Sequence, residues 1–181
     1  MRSKSFDGMV CSIAGALSLI GDRWAFLILR DLLSGIRRYD DFRRSSGVTN
    51  ATLSDRLKHL EASGLVERRL YQAGPDRYEY VLTAKGRDAA ALMPVLAELG
   101  DRWGVSGASE PPLRFVNRNT GNAVRSGFVD QKTGEPVSAH DVRVSAGPGA
   151  DDAVRWRLSH RRPDTEVFIQ EGRAHAATTG S

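Results

Sequence analysis

The clearest chemistry in the chain lies between Asn50 and His59. Thr52, Asp55, Lys58 and His59 bring a hydroxyl, a carboxylate, an ammonium and an imidazole into one short stretch. On a helix turning about 100° per residue, Leu53, Leu57 and Leu60 share one face and point inward. Ala51, Asp55 and Lys58 then point away from it, Thr52 and His59 flank them, and Ser54 lies to the other side. A small, polar outward face lets a helix backbone enter a duplex major groove closely, where such groups read base edges. Thr52, Asp55, Lys58 and His59 are the candidate readers, with Asn50 and Ser54 at their margin. Arg56 sits nearer the core edge, placed either to reach a phosphate or to brace the fold. The plain alternative is an ordinary solvated helix face, and from this face alone the two readings stand level.

The guanidinium groups around this stretch tilt the balance. Arg77, with Arg68 and Arg69 before it, falls on a predicted hairpin that could lie against phosphates or in a minor groove. Arg37, Arg38, Arg43 and Arg44 surround a short predicted helix upstream and can contact the nucleic-acid backbone. Several of these are equally well placed to be solvated surface. The net charge of +4 suits a polyanionic partner without requiring one.

These side chains need a frame, and local signals supply it. Ile13, Leu17 and Ile20 have helical spacing and predict a helix over about 11–20 that stops at Gly21. Asp22 is placed to cap a second helix, about 23–34, with Trp24, Leu27, Ile28 and Leu32 as its apolar stripe and Ser34-Gly35 as its end. Tyr39 to Arg44 is a short third helix, and Ser46-Gly47-Val48-Thr49 a turn. Asn50 is placed to cap a fourth helix, about 51–63, and Gly64 supplies a left-handed stop. Residues 65–73 and 77–82 alternate as two strands joined across Gly74-Pro75-Asp76. Thr83 then caps a long fifth helix reaching about Trp103. Its stripe is Leu92, Leu96, Leu99 and Trp103, with Val95 beside it, and Pro94 should kink it. A stripe at the far end of a small domain suits burial against a second copy, and packing on its own first helix is the alternative.

Composition changes at Gly104. Residues 107–112 read as a linker between a first domain, 1–106, and a small β-rich appendage, 113–160. Within the appendage, Phe115-Val-Asn-Arg-Asn-Thr-Gly-Asn-Ala-Val and Phe128-Val-Asp-Gln-Lys-Thr-Gly-Glu-Pro-Val each read as strand, glycine turn, strand. Residues 154–158 are a candidate further strand, and 161–181 a largely disordered tail. The expected class is therefore α+β: a winged helix-turn-helix with a long C-terminal dimerisation helix and a small β-ribbon appendage.

Other classes are poorly supported. Hydrophobic residues make up 40% of the 181, enough to bury a core. One cysteine, Cys11, excludes an intrachain disulfide and a thiolate metal cluster within one subunit, which fits a reducing compartment. Residues 9–20 superficially resemble a signal peptide, but Asp7 interrupts the basic end and the spacing is that of an amphipathic helix. No run is long enough to span a bilayer, so a cytoplasmic protein without membrane contact is expected. There is no dinucleotide loop, phosphate loop or nucleophile elbow, so neither an enzyme nor a cofactor is expected. A winged-helix adaptor that binds another protein instead of DNA is the rival function. A ligand-sensing regulator is also open, with a cavity lined by Trp24, Leu96, Leu99 and Trp103.

The combined pattern resembles the HxlR-type regulators, the DUF24 branch of the MarR-like winged-helix proteins. The matching residues are Cys11, Leu19-Ile20-Gly21-Asp22-Arg23-Trp24, Leu27-Ile28-Leu29-Arg30-Asp31-Leu32, Gly35 and Arg38-Tyr39-Asp40-Asp41-Phe42. They continue through Leu53-Ser54-Asp55-Arg56-Leu57, Leu60-Glu61, Gly64-Leu65-Val66, Tyr78-Glu79-Tyr80, Leu82-Thr83, Lys85-Gly86 and the run from Leu92 to Trp103. The resemblance covers about residues 9–104. It implies a homodimer that places two recognition helices in successive major grooves of a palindromic operator, more often as a repressor. It also implies that Cys11 senses an oxidant or electrophile, a small buried packing residue being the alternative. The family usually has proline after this cysteine, where this chain has Ser12. The appendage resembles a zinc ribbon of some relatives, but Asp130-Gln-Lys-Thr133-Gly134 and Asn119-Thr120-Gly121 lack the thiols, so a metal-free ribbon is expected.

Overall fold

The computed structural model describes residues 6–160. Four helices come first: α1 (Ser12–Ile20), α2 (Arg23–Leu33), α3 (Tyr39–Ser46) and α4 (Asn50–Ala62). A hairpin of β1 (Val66–Gln72) and β2 (Arg77–Leu82) follows, then α5 (Ala84–Ala90) and α6 (Met93–Arg102). Further on lie β3 (Phe128–Val129), β4 (Pro136–Val137) and α7 (Asp152–Ser159). This is the winged helix-turn-helix arrangement read from the residues. No helix among those described is long and apolar enough to cross a membrane.

One core holds the first part together. Ile28, Leu29 and Leu32 of α2 pack with Phe42 of α3, Leu53, Leu57 and Leu60 of α4, and Leu65 and Val66 at the start of the hairpin. Each of these is less than a tenth exposed. The three leucines of α4 are buried together, as their spacing requires, and this fixes which side of α4 faces outward.

Several helix ends form as their residues direct. The Asp22 carboxylate accepts the backbone N–H groups of Trp24 and Ala25 and caps α2. The Thr83 hydroxyl accepts the N–H of Gly86 and caps α5, and it also donates to the Gly64 carbonyl at 2.7 Å. That second bond ties α5 to the corner between α4 and the hairpin. The corner is tight: a Cβ at Gly86 would sit 1.9 Å from the Leu65 carbonyl oxygen. Only glycine permits this approach.

Three expectations are corrected. The cap of α4 is Thr49, whose hydroxyl accepts the N–H of Thr52, and Asn50 is the first helical residue. Either residue type can cap, and the turn's extended backbone ends one residue earlier than expected. The long fifth helix is two helices, α5 and α6, meeting around Ala91 and Leu92. Pro94 offers no N–H and its ring would strike the Ala90 carbonyl in a continuous helix, so it sits instead in the first turn of α6, where neither penalty applies. Finally, residues 154–158 are helical within α7, started by Asp151 accepting the N–H of Val154. Five residues alternating in polarity are too few to separate strand from helix.

The chain divides into two compact units, one up to Arg125 and one from Ser126 onward. The boundary falls inside the span 113–160 assigned to the appendage. In the first unit, Phe115 packs against the core. The turn after it bridges Val116 to Ala123, and the Asn117 side chain accepts the N–H groups of Asn119 and Thr120. In the second unit β3 and β4 pair antiparallel. There the Asp130 carboxylate accepts the N–H groups of Lys132 and Thr133. In each turn one side-chain oxygen thus accepts two backbone N–H groups, and a threonine hydroxyl, Thr120 or Thr133, accepts a third. The tail 161–181 lies outside the described residues.

Candidate nucleic-acid interface

α3, the turn 47–49 and α4 form the helix-turn-helix. Gly47, with φ 66°, gives α3 its left-handed end, and buried Val48 anchors the turn to the core. Thr49 then starts α4. The Thr49 hydroxyl donates to the Thr52 hydroxyl at 3.0 Å, which leaves the Thr52 proton available to an outside acceptor. Ala51, Asp55 and Lys58 are exposed, and Thr52 is half-buried beside them.

The remaining candidates on α4 are engaged inward. The His59 Nε2 lies 3.1 Å from the Leu19 carbonyl oxygen and donates to it. Its ring also packs on Gly21, where a Cβ would come within 3.1 Å of it. His59 is a brace between α4 and the end of α1, so the expectation that it reads a base gives way. Arg56 donates through Nε to Asp22 Oδ2 at 2.7 Å and pairs with the same oxygen through Nη2. Because Asp22 also caps α2, this arginine secures that cap to α4, the bracing role among the two considered. Its Nη1 pairs with the Asp55 carboxylate. Asp55 is exposed, yet its charge is largely answered by its neighbour.

Asn50 and Ser54 join α3 to α4. The Tyr39 hydroxyl donates to the Asn50 carbonyl at 2.9 Å and lies 2.8 Å from Ser54 Oγ. A phenol has one proton, so Ser54 must be the donor in the second bond. Arg43 Nη1 donates to Asn50 Oδ1 at 3.3 Å. These contacts fix the angle of the two helices before any ligand arrives.

The hairpin supplies the wing. β1 pairs antiparallel with β2, Arg68 opposite Tyr80 and Leu70 opposite Tyr78, with a register shift before Gln72. The N–H of Tyr80 donates to the Arg37 carbonyl at 2.8 Å, so the segment before α3 joins the hairpin's edge. Tyr80 stands edge-on to Phe42 in the core. Burial pushes its hydroxyl pKa up, and the nearby Arg68 guanidinium pulls the other way. Arg37 lies 3.8 Å from Glu79, and Arg69 pairs with Glu67. Arg38, the N-cap residue of α3, stacks over the exposed Tyr71 ring at 4.7 Å. Arg44 and Arg77 are exposed. Tyr71 did not stand out in the sequence, since one aromatic residue in an alternating strand carries no mark of its partner. Its contact links the start of α3 to the wing.

The other candidates lie away from this face. Leu92, Val95, Leu96, Leu99 and Trp103 of the α6 region are between 42% and 62% exposed. On α1, Ile13 and Leu17 are exposed too, while Ala14 and Ile20 face the core. Cys11 is the N-cap residue of α1 and is half-buried. Leu96, Leu99 and Trp103 stand on the open surface, and they line neither the cleft at Ile36, Asp41, Arg44 and Ser45 nor the one at Arg30, Met93 and Phe115.

A family model described as HxlR-like helix-turn-helix matches residues 19–107. An uncharacterised HTH-type transcriptional regulator of Mycobacterium tuberculosis is 36% identical over 147 residues, covering 81% of this chain and 91% of that protein. This likeness is too long to end at residue 107 and continues past α6. An HTH-type regulator of Methanothermobacter thermautotrophicus is 36% identical over 99 residues, 54% of this chain and 76% of its own. Among solved structures, a candidate transcription factor from Pseudomonas aeruginosa is similar at 38% identity and TM-score 0.56, covering 82% of this chain and 100% of its own. A second, PA1607, gives 34% identity and TM-score 0.61, covering 80% of this chain and 100% of its own.

Proposed function

Because the chain belongs to the HxlR-like helix-turn-helix family, we propose that it regulates transcription as a homodimer on a palindromic DNA operator. One observation carries this reading. α4 buries Leu53, Leu57 and Leu60 in the core and turns Ala51, Asp55 and Lys58 outward, beside a wing that bears Arg77. Thr52, Asp55 and Lys58 are the residues we assign to base edges. Arg38, Arg44 and Arg77 meet phosphates, with Arg37, Arg43 and Arg69 at their side.

The second copy is supported by the exposed apolar side chains of α6 and α1. Leu96, Leu99, Trp103, Ile13 and Leu17 are exposed apolar side chains that a second copy would cover. Two protomers would set their α4 helices about one helical turn of DNA apart. Repression is the mode we favour, since it needs only occupancy of the operator. A redox signal would enter at Cys11, at the start of α1. Diamide should then change operator binding by the native chain and leave Cys11→Ser untouched.

The direct test is footprinting on the DNA flanking the chain's own coding region, with sedimentation of the protein alone. A symmetric footprint and a dimer are expected. Equal binding to every duplex, or a monomer that still footprints one half-site, would refute the proposal.

A further inference from the structure

A cleft of about 290 Å³ opens where α2 ends, α6 begins and the chain returns to the core after α6. Leu33, Met93, Leu113 and Phe115 give it apolar walls, and among the described residues Arg30 and Arg114 are its ionisable lining. Arg114 has no carboxylate partner among the described residues and gives the cleft its positive charge, whereas the Arg30 guanidinium is shared with Asp31. The cleft's size is at the lower edge of ligand pockets, enough for one ring or a short branched chain. The matching ligand is a small carboxylate with an apolar body.

Arg30 also connects the cleft to the helix-turn-helix. Its Nε and Nη2 donate to Asp31 Oδ1 at 2.9 and 2.6 Å. Its Nη2 lies 3.3 Å from Ser45 Oγ, and Ser45 Oγ donates to the same Asp31 oxygen at 3.0 Å. Ser45 belongs to α3. Asp31 is only 2% exposed, and its Oδ2 has no hydrogen-bond partner among the described residues. With Oδ2 unmet, this buried carboxylate depends on the Arg30 guanidinium and the Ser45 hydroxyl at Oδ1. A ligand carboxylate drawing on Arg30 competes with Asp31, and Asp31 must then rely more on Ser45.

We propose that this cleft is an effector site for a small amphipathic carboxylate, coupled to α3 through Arg30, Asp31 and Ser45. Its regulatory half rests on the operator-binding function proposed above. Arg114 is exposed and is not among the residues assigned to DNA, so Arg114→Gln should fold and bind duplex as the native chain does. Calorimetry on the full chain without DNA, using phenylacetate as probe and phenylacetamide as its neutral counterpart, reads the site alone. Phenylacetate should bind in the millimolar range or tighter. The amide, and phenylacetate on Arg114→Gln, should each bind about tenfold more weakly. No heat from phenylacetate, equal binding of acid and amide, or an unaffected Arg114→Gln would overturn the site. Duplex affinity measured with and without saturating phenylacetate should differ by about fivefold or more. An unchanged duplex affinity with phenylacetate bound refutes the coupling. A chain that binds phenylacetate and no duplex sinks the operator function and leaves the site standing.

Discussion

The salt dependence of duplex binding follows from which cations are already engaged. Arg37, Arg38, Arg43, Arg44, Lys58, Arg69 and Arg77 lie on or beside α3, α4 and the wing, as do Arg56, which is tied to Asp22 and Asp55, and Arg68, which stacks over the Tyr78 ring. Arg37 and Arg69 have carboxylate partners in Glu79 and Glu67, and Arg43 donates to Asn50. Arg38, Arg44, Lys58 and Arg77 have no carboxylate partner among the described residues, so each can neutralise a phosphate without first breaking an ion pair. A dimer would present about eight such charges, and at a slope of about −0.9 per contact the plot of log affinity against log salt should fall with a slope of about −7. Between about 50 and 200 mM salt this is a loss of about four decades. Fluorescence anisotropy of a labelled operator across that range measures it. Arg77→Gln removes one contact per protomer and should flatten the slope by about 2 while weakening all sequences alike. A native slope shallower than about −3, or an Arg77→Gln slope equal to the native one, would show that these residues do not face phosphates.

Three further outcomes test the frame. His59→Ala leaves the Leu19 carbonyl without its donor and opens space against Gly21, so it should lower stability by about 1–3 kcal/mol. Its melting point should drop by several degrees while its preference at each operator base stays native; a changed preference at one base would return His59 to the groove. Gly86→Ala drives a Cβ to 1.9 Å from the Leu65 oxygen and should cost about 3 kcal/mol or more in urea unfolding; melting together with the native chain would contradict the packing of α5 on that corner. The N–H groups of Thr133 and Lys132 hold the Asp130 carboxyl below its ordinary pKa of 3.8. Its folded pKa is depressed, so the turn's support is present above the unfolded value and is lost as pH falls through the folded one. The amide resonances of Lys132 and Thr133 should move over that acid window in the native chain and stay still in Asp130→Asn. An asparagine can hold such a turn, as Asn117 does in the first unit. Equal movement in both proteins would remove Asp130 as the cause.

α3 carries both the phosphate-facing Arg44 and Ser45, which reaches Arg30 at the cleft. α2 begins at the Asp22 cap that Arg56 ties to α4. It ends near the cleft, where Arg30 reaches Ser45 on α3. Between them lies the core of Ile28, Leu29, Phe42, Leu53 and Leu57, and protein interiors of this kind transmit strain. This gives physical content to the idea that a small ligand could change how α3 and α4 sit.

Much was legible along the chain because the forces concerned act locally. Asp22 and Thr83 cap helices from three residues away or less, Gly64 must adopt positive φ, and three leucines at helical spacing define an inward face. Such signals set the order of elements, the winged helix-turn-helix and the outward set on α4. The choice between Thr49 and Asn50 as cap, and the break at Ala91 and Leu92, hung on backbone geometry that neighbouring residues satisfy almost equally well. The role of His59 was beyond the sequence, and for Arg56 the sequence left bracing and phosphate contact equally open. Both belong to a helix face whose polarity suits solvent, groove or brace, and their partners, Leu19 and Asp22, lie 40 and 34 residues away. Likewise Arg30, Asp31 and Ser45 meet only because α2 crosses α3. Hydrophobic spacing decides which face of a helix is buried, whereas the partner of a polar side chain at the edge of that face depends on which element the tertiary packing brings alongside it.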